Sequence, residues 1–192
     1  MPAIFNEKNK PLYEHRLLET GLELIKSNGL KGLRIDTIAR KAGFAKSTFY
    51  TFFSSKEDFM NKIVVYERKK TQEALEQALN KNGKMNKEAA REFFKVQFLS
   101  DANIYTFLSA EDYEYLKAKS PELFQLNSKS DEENTKWLLS RIDTPNNCDW
   151  KLLSNYIKAI VTITINSENL YKDKYQETIE LMIDGLVNYL FV

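Results

Sequence analysis

The stretch from Ala42 to Phe59 reads AGFAKSTFYTFFSSKEDF and combines a glycine-centred turn with a short helical pattern. Before the turn, apolar side chains recur at the i, i+3, i+4, i+7 spacing of one buried helix face, at Ile35, Ile38, Ala39 and Ala42. Gly43 supplies the positive φ that a tight reversal of the chain requires. The pattern therefore predicts two short helices that meet at a sharp angle.

The second of these helices is predicted to have one apolar and one polar side. At about 100° per residue, the apolar side carries Phe49, Phe52 and Phe53. The polar side carries Ser47, Tyr50 and Thr51, flanked by Lys46 and Thr48. Such a helix can enter the major groove of DNA while the helix before it braces it. We predict a DNA-binding helix-turn-helix, and a plain pair of packed helices is the alternative.

The same region resembles a known family of proteins. The matching segments are Ile35-Asp36-Thr37-Ile38-Ala39, Ala42-Gly43-Phe44, Lys46-Ser47-Thr48-Phe49-Tyr50, Phe52-Phe53 and Ser55-Lys56-Glu57. They resemble the DNA-binding segment of the tetracycline-repressor (TetR) family of bacterial regulators, and the resemblance covers roughly residues 10–60. Two helix starts depart from the family pattern, because Leu33-Arg34 and Ala45 stand where Ser or Thr caps are usual. Each missing cap costs about 1 kcal/mol of helix stability.

Six residues are the predicted DNA contacts: Lys46, Ser47, Thr48, Tyr50, Thr51 and Lys56. Tyr50 and Lys56 are expected to bind phosphate, because a hydroxyl on the recognition helix and an ammonium beside open helix amides suit phosphate oxygens. The other four are expected to face the groove, and which of them contacts a base stays open. Ordinary solvated surface residues are the alternative for Tyr50 and Lys56.

The charge of the chain is distributed unevenly. The 192 residues carry a net charge of +1, but residues 1–70 hold fourteen Lys or Arg against eight Asp or Glu, a net charge of +6. The remainder holds fourteen against nineteen, a net charge of −5. Because phosphate neutralisation supplies most non-specific DNA affinity, a basic head on an acidic body suits a DNA-binding protein with a separate sensing domain.

Several classes of protein are disfavoured by the sequence. The most apolar stretch, Ile157 to Ile165, contains Lys158 and is too short to cross a membrane, and no secretory signal is evident, so we expect a cytoplasmic protein. Cys148 is the only cysteine, and a tolerated thiol is favoured over a redox sensor. His15, the only histidine, lacks the partners of a metal site or an acid–base pair. We therefore predict no enzymatic activity, no metal and no cofactor.

Helical periodicity dominates the rest of the sequence. Besides the helix-turn-helix pair, helices are predicted at Leu12 to Ser27, Ser54 or Ser55 to about Asn80, Ala89 to Leu99, Ile104 to Leu108, Asp112 to Lys119, Asn134 to Ile142, Asp149 to Asn166 and Lys174 to Phe191. The polar segment from Asn127 to Glu133 is a loop or a helix start. We predict an all-α fold with a three-helix helix-turn-helix DNA-binding domain at residues 1–54. A helical ligand-binding and dimerisation domain is predicted at residues 55–192.

The last two predicted helices are apolar around more than one face, as expected of helices that cover both a core and a partner. The family resemblance implies that they form a four-helix interface in a homodimer. The candidate interface residues are Leu153, Ile157, Ile160, Met182, Leu186 and Leu190.

The body is also rich in aromatic residues, and the family resemblance implies a pocket for an inducer among its helices. The candidate ligand contacts are Phe94, Phe98, Tyr105, Phe107, Tyr113, Trp137 and Tyr156. For any one of these residues, core packing is the alternative.

The resemblance implies a transcriptional repressor that binds a palindromic double-stranded operator and leaves it when a small, largely apolar molecule enters the body. The alternative is a ligand-independent DNA-organising or protein-binding dimer on the same fold.

Overall fold

The computed structural model of the protein describes residues 7–30, 32–100, 103–121, 129–145 and 147–191. In these ranges the α-helices are α1 (Lys10–Asn28), α2 (Ile35–Lys41), α3 (Lys46–Phe52), α4 (Lys56–Ala78), α5 (Lys87–Leu99), α6 (Ala110–Lys119), α7 (Lys129–Ser140), α8 (Trp150–Ile165) and α9 (Tyr175–Phe191). Short 3-10 helices lie at Glu7–Asn9, Ile104–Phe107, Ser167–Asn169 and Lys172–Lys174. The described residues contain no strand, and their one isolated β-bridge joins Met85 to Ile142.

The predicted all-α fold is confirmed, and most predicted helix ends lie within two residues of the observed ones. The exception is α7, which begins at Lys129 rather than Asn134. Its first turn contains Asp131 and Glu132, and carboxylates there interact favourably with the helix dipole. The polar segment, as far as the structure describes it, is therefore a helix start, while Asn127 and Ser128 lie outside the described residues.

The start of α4 is fixed by a serine cap. The backbone amide of Asp58 donates a 3.0 Å hydrogen bond to the Ser55 hydroxyl oxygen. The amide and the hydroxyl of Ser54 both donate to the Asp58 carboxylate, at 2.7 and 3.0 Å. Ser55 is thus the residue that caps α4, and Ser54 is held by the carboxylate in the first turn of the helix.

The described residues divide into two compact units. One contains the residues up to Arg68 together with Phe107 to Pro121, and the other contains Lys69 to Thr106 and the described residues from 129 onward. The division runs through α4 and groups α6 with α1 to α3. It describes compactness, and the functional boundary after residue 54 stays a prediction.

The core of the first unit is aromatic. Phe49 of α3 has its ring centroid 5.0 Å from that of Phe53 and 5.1 Å from that of Phe59 in α4, and Phe53 and Phe59 are 4.7 Å apart. All three side chains are buried. This cluster joins the recognition helix to α4, and tilted and edge-on ring pairs of this kind are favourable.

In the second unit, α5 packs against α9 and α7 packs against α8. The fully buried apolar side chains of this core include Leu75, Met85, Phe94, Leu153, Ile160, Ile179, Ile183, Leu186 and Leu190. At the edge of the core, Arg91 of α5 binds Asp184 of α9 through two hydrogen bonds of 2.6 and 3.1 Å. Across the described residues, no helix is both long enough and apolar enough to traverse a bilayer.

Candidate nucleic-acid interface

The turn between α2 and α3 is built around Gly43. Its φ is 79°, a conformation that side chains with a Cβ rarely adopt. The amide of Gly43 donates to the Arg40 carbonyl at 3.1 Å, and the amide of Phe44 donates to the Ala39 carbonyl at 2.8 Å. These two bonds end α2 and reverse the chain, so the turn that the sequence predicts lies at this glycine.

The recognition helix α3 is held by its aromatic side rather than by a cap. The residues before α2 and α3, Arg34 and Ala45, make no side-chain cap hydrogen bond, as the sequence predicts. Phe49 is completely buried and Phe52 is 9% exposed. Burial of one such ring contributes about 1.5–3 kcal/mol, which offsets a missing cap.

The opposite side of α3 faces solvent. Of the predicted DNA contacts, Lys46, Ser47, Tyr50 and Thr51 are exposed, whereas Thr48 and Lys56 are half-buried. The Tyr50 side chain is 48% exposed, and its ring lies edge-on to that of Phe49 at 5.6 Å. The buried phenylalanine therefore packs against a tyrosine that remains about half exposed to solvent.

Two of the exposed side chains have partners within the protein. The Lys46 ammonium lies 2.9 Å from the Asp36 carboxylate in α2, and this hydrogen bond raises the pKa of Lys46 above its usual value. The Thr51 hydroxyl donates to the Ser47 carbonyl at 3.3 Å, one turn earlier in α3. Lys46 is thus charged at neutral pH and already paired in the free protein.

Lys56, the predicted phosphate contact in the first turn of α4, is oriented by neighbouring groups. Its ammonium donates to the Leu30 carbonyl at 3.4 Å. The adjacent Glu57 accepts a 2.9 Å hydrogen bond from the Tyr115 hydroxyl in α6. The backbone amide of Glu57 and then this hydroxyl lower the pKa of the Glu57 carboxyl, so a carboxylate accompanies Lys56.

Sequence reasoning did not predict the contact of Asp36 with Lys46 or the presence of Tyr115 in this region. Asp36 stands ten positions before Lys46, and the helix-turn-helix pattern could have placed the first turns of the two helices side by side. Tyr115 comes from a distant part of the chain, and no local pattern links it to Glu57.

The geometry agrees with a match to a protein family. Residues 17–63 match the model of the bacterial regulatory proteins of the tetR family. The N-terminal part of the chain is therefore similar to the helix-turn-helix domain of TetR-family regulators. TetR-family regulators are DNA-binding transcription factors, not enzymes. No curated protein sequence matches the chain.

Solved structures of TetR-family and other transcriptional regulators resemble this chain along almost its whole length. A transcriptional regulator from Rhodococcus sp. Rha1 shares 18% identity at a TM-score of 0.63, covering 93% of this chain and 98% of that one. A TetR-family regulator from Haemophilus influenzae RD shares 15% identity at a TM-score of 0.59, with coverages of 96% and 99%. A TetR-family regulator from Mesorhizobium loti MAFF303099 shares 14% identity at a TM-score of 0.63, with coverages of 97% and 100%. At these identities the likeness shows the fold alone.

The candidate ligand contacts fall into both compact units. Phe94, Phe98, Tyr105, Trp137 and Tyr156 belong to the second unit, and Phe107 and Tyr113 belong to the first. In the second unit, Phe94 and Phe98 are core residues with stacked rings, and Trp137 and Tyr156 pack against that core. In the first unit, the Lys26 ammonium lies 5.9 Å from the centre of the Phe107 ring.

The six candidate dimer contacts differ in how far one chain alone buries them. Leu153, Ile160, Leu186 and Leu190 are completely buried within one chain, where they form part of the core. Ile157 and Met182 are half-buried and stay candidates. The physical reason is that α8 and α9 are apolar on two faces, and the core takes the face that carries these four residues.

A small cavity of about 10 Å³ lies in the first unit, between the start of α4 and α6. Its lining includes Glu57, Asn61, Tyr115 and Ser120, and the Ser120 hydroxyl is hydrogen-bonded to the Asn61 side chain. This volume is near the lower limit for holding one water molecule. No group of His, Cys, Asp and Glu side chains suited to a metal ion occurs within the described ranges.

Proposed function

We propose that the protein is a TetR-family repressor that binds a palindromic operator as a homodimer and is released by a small, largely apolar inducer. The observation that carries the DNA-binding part is the division of α3 into a buried aromatic side and an exposed polar side. Phe49 is fully buried, whereas Tyr50, the next residue, is 48% exposed. Lys46, Ser47, Thr48 and Thr51 are the proposed groove contacts, and Tyr50 and Lys56 the proposed phosphate contacts.

Dimer formation through α8 and α9 is supported by the apolar side chains that the core leaves uncovered. Leu152 of α8 is 48% exposed and Leu181 of α9 is 72% exposed. Ile157 and Met182 on the same helices are half-buried. Burial of such a surface against a second copy is favourable, and a two-fold dimer places two recognition helices on half-sites about 34 Å apart or a multiple of that.

The inducer part of the proposal rests on the aromatic residues of the body and on the family. A ligand that binds only the conformation with poorly spaced recognition helices shifts the population away from the DNA-bound form. Residues 55–192 would hold the ligand and the dimer interface, residues 1–54 would read the operator, and the protein would act in the cytoplasm, where the DNA is.

The alternative, a ligand-independent dimer, is favoured by one specific observation. Phe94 is 1% exposed and Phe98 is 6% exposed, with their rings stacked in the core. Aromatic side chains packed in this way stabilise the body without any ligand.

Selection from a random duplex DNA library, using the purified full-length protein, tests the DNA-binding part. We expect enrichment of a palindrome, and a reporter gene placed behind that sequence should be repressed when the protein is present. Failure to enrich any sequence would contradict operator recognition.

The inducer is tested by thermal-shift screening with hydrophobic drugs, fatty acids and dyes, followed by anisotropy measurements of release from the selected duplex. Tyr105→Ala, at a half-buried aromatic position, should weaken the response to a hit. Tyr171→Ala, at an 86% exposed position of the same unit, is the matched control and should not. If no compound both stabilises the protein and releases DNA, the ligand-independent alternative stands.

A further inference from the structure

An exposed ion pair connects the two helices of the helix-turn-helix. Lys46 is the first residue of α3, and Asp36 lies in the first turn of α2. The Lys46 ammonium is 2.9 Å from the Asp36 carboxylate, and the two side chains are 55% and 61% exposed. The carboxylate is therefore in direct contact with one of the proposed groove-facing side chains.

A carboxylate in this position weakens non-specific binding to DNA. Duplex DNA carries one negative charge per about 1.7 Å of its axis, and non-specific affinity comes from Lys and Arg that neutralise phosphates. Asp36 repels that charge and occupies the ammonium that would otherwise neutralise a phosphate. An exposed ion pair is weak enough for a well-placed acceptor on a base edge to displace the carboxylate.

We propose that Asp36 is a specificity-determining residue, which withholds Lys46 from the phosphates of arbitrary DNA and releases it at the preferred sequence. This inference rests on the docking face proposed above. It assigns Asp36 no base contact of its own, because the residue acts through the ammonium of Lys46. The preferred sequence must provide a hydrogen-bond acceptor, such as the O6 and N7 atoms of guanine, within reach of Lys46.

A purely structural role would have a different signature. A carboxylate in the first turn of α2 also interacts with the helix dipole, so its removal could change stability without changing DNA recognition. Asp36→Asn retains the size of the side chain and one acceptor oxygen, removes the charge and replaces the second oxygen with an NH2 group. Thermal unfolding of each variant measures the structural contribution, and DNA titrations measure the proposed one.

The test compares Asp36→Asn, Lys46→Gln, the double variant and Glu23→Gln, in the full-length protein. Glu23 is an exposed carboxylate on α1, so its change to Gln is matched in charge and lies outside the helix pair. The probes are a random-sequence duplex and the duplex selected by the parent protein, titrated by anisotropy across salt concentrations.

We expect Asp36→Asn to raise affinity for the random duplex by up to about fivefold, the scale of an exposed ion pair, with a smaller gain on the selected duplex. The magnitude of the salt slope on the random duplex should increase by about 0.9 for each head that gains a phosphate contact. In the Lys46→Gln background, Asp36→Asn should have little further effect on either quantity.

Two results would overturn the inference. One is an equal gain from Glu23→Gln, which would show that only net charge matters. The other is an unchanged effect of Asp36→Asn in the Lys46→Gln background. If the parent protein binds no duplex in a salt-dependent manner, the proposed function itself fails, and this inference with it.

Discussion

The ring of Phe59 in α4 lies directly over Gly21 in α1. A Cβ atom placed on Gly21 would be 2.5 Å from Cζ and 2.7 Å from Cε1 of that ring, distances that a Cβ atom and a non-bonded carbon essentially never show. Phe59 is completely buried and also contacts Phe49 of the recognition helix at a ring distance of 5.1 Å. The absence of a side chain at residue 21 therefore sets how closely α1 approaches the aromatic cluster that carries α3.

Gly21→Ala is expected to destabilise the protein by about 1–3 kcal/mol, because the rigid buried ring must move. The intrinsic helix propensity alone would predict a gain of about 1 kcal/mol, so the sign of the change identifies the steric effect. Urea unfolding of the variant provides the measurement. Phe59→Leu should recover part of the loss in the Gly21→Ala background, and strictly additive effects would contradict the proposed clash.

Tyr50→Phe and Lys56→Met should weaken binding to the selected and the random duplex by similar factors, because both residues are proposed to contact phosphates. For Tyr50→Phe we expect a loss of about 0.5–1.5 kcal/mol with no change in the salt slope, since only a neutral hydroxyl is removed. For Lys56→Met we expect the magnitude of the salt slope to fall by about 0.9 per head.

Anisotropy titrations across salt concentrations provide both quantities for these two variants. The control is Lys172→Met, an exposed lysine of the second unit, which should leave the slope unchanged. Ser47→Ala, by contrast, should alter the ranking of selected sequences. Tight parental binding by the Tyr50→Phe, Lys56→Met double variant would show that the docking face is assigned wrongly.

Leu181→Glu is expected to dissociate the dimer, because a carboxylate at this 72% exposed position of α9 would be buried against the second copy. The dissociation constant should rise at least about tenfold, the effect of truncating one important interface residue. Sedimentation equilibrium measures it.

The control is Val96→Glu, at a 47% exposed position of α5, which should leave the dimer intact. Both variants should fold, since substitutions at exposed positions usually change stability by less than about 0.5 kcal/mol. A dimer that persists in Leu181→Glu at micromolar concentration would show that the interface lies elsewhere.

The ion pair between Arg91 and Asp184 should make the stability of the body depend on pH. Hydrogen bonds from Arg91 lower the pKa of the Asp184 carboxyl in the folded protein. In the unfolded chain, the pKa of an aspartate is about 3.9. The stabilising contribution is therefore complete above the unfolded pKa and is lost as pH falls through the folded pKa.

Asp184→Asn should accordingly lower the urea midpoint at neutral pH, and the difference from the parent should vanish in acid. Arg91→Gln should produce the same loss, and the double variant should show little more than either single change. A difference that stays constant from neutral to acidic pH would rule out the carboxylate as its source.

Local patterns were sufficient for the fold class and for the helix-turn-helix. Three features depend only on interactions between residues close in sequence: the apolar spacing before Gly43, the apolar and polar sides of α3, and the serine cap of α4. Such interactions can be predicted from the sequence alone. The start of α7 was harder to place, because the polar residues that disfavour a buried helix also suit the first turn of one.

The sequence by itself determined an all-α protein with a recognition helix that exposes Lys46, Ser47, Tyr50 and Thr51. Tertiary structure alone decided which apolar face of each of the last two helices is buried in the core. Periodicity shows that a helix such as α9 has two apolar faces, but it does not tell which of them is buried. The buried Leu186 and the exposed Leu181 therefore cannot be distinguished from the sequence, because the packing of α5 against one side of α9 decides between them. The same holds for the Asp36–Lys46 pair and for Phe59 over Gly21, because each depends on the angle and separation of two helices, which packing sets and no single segment encodes.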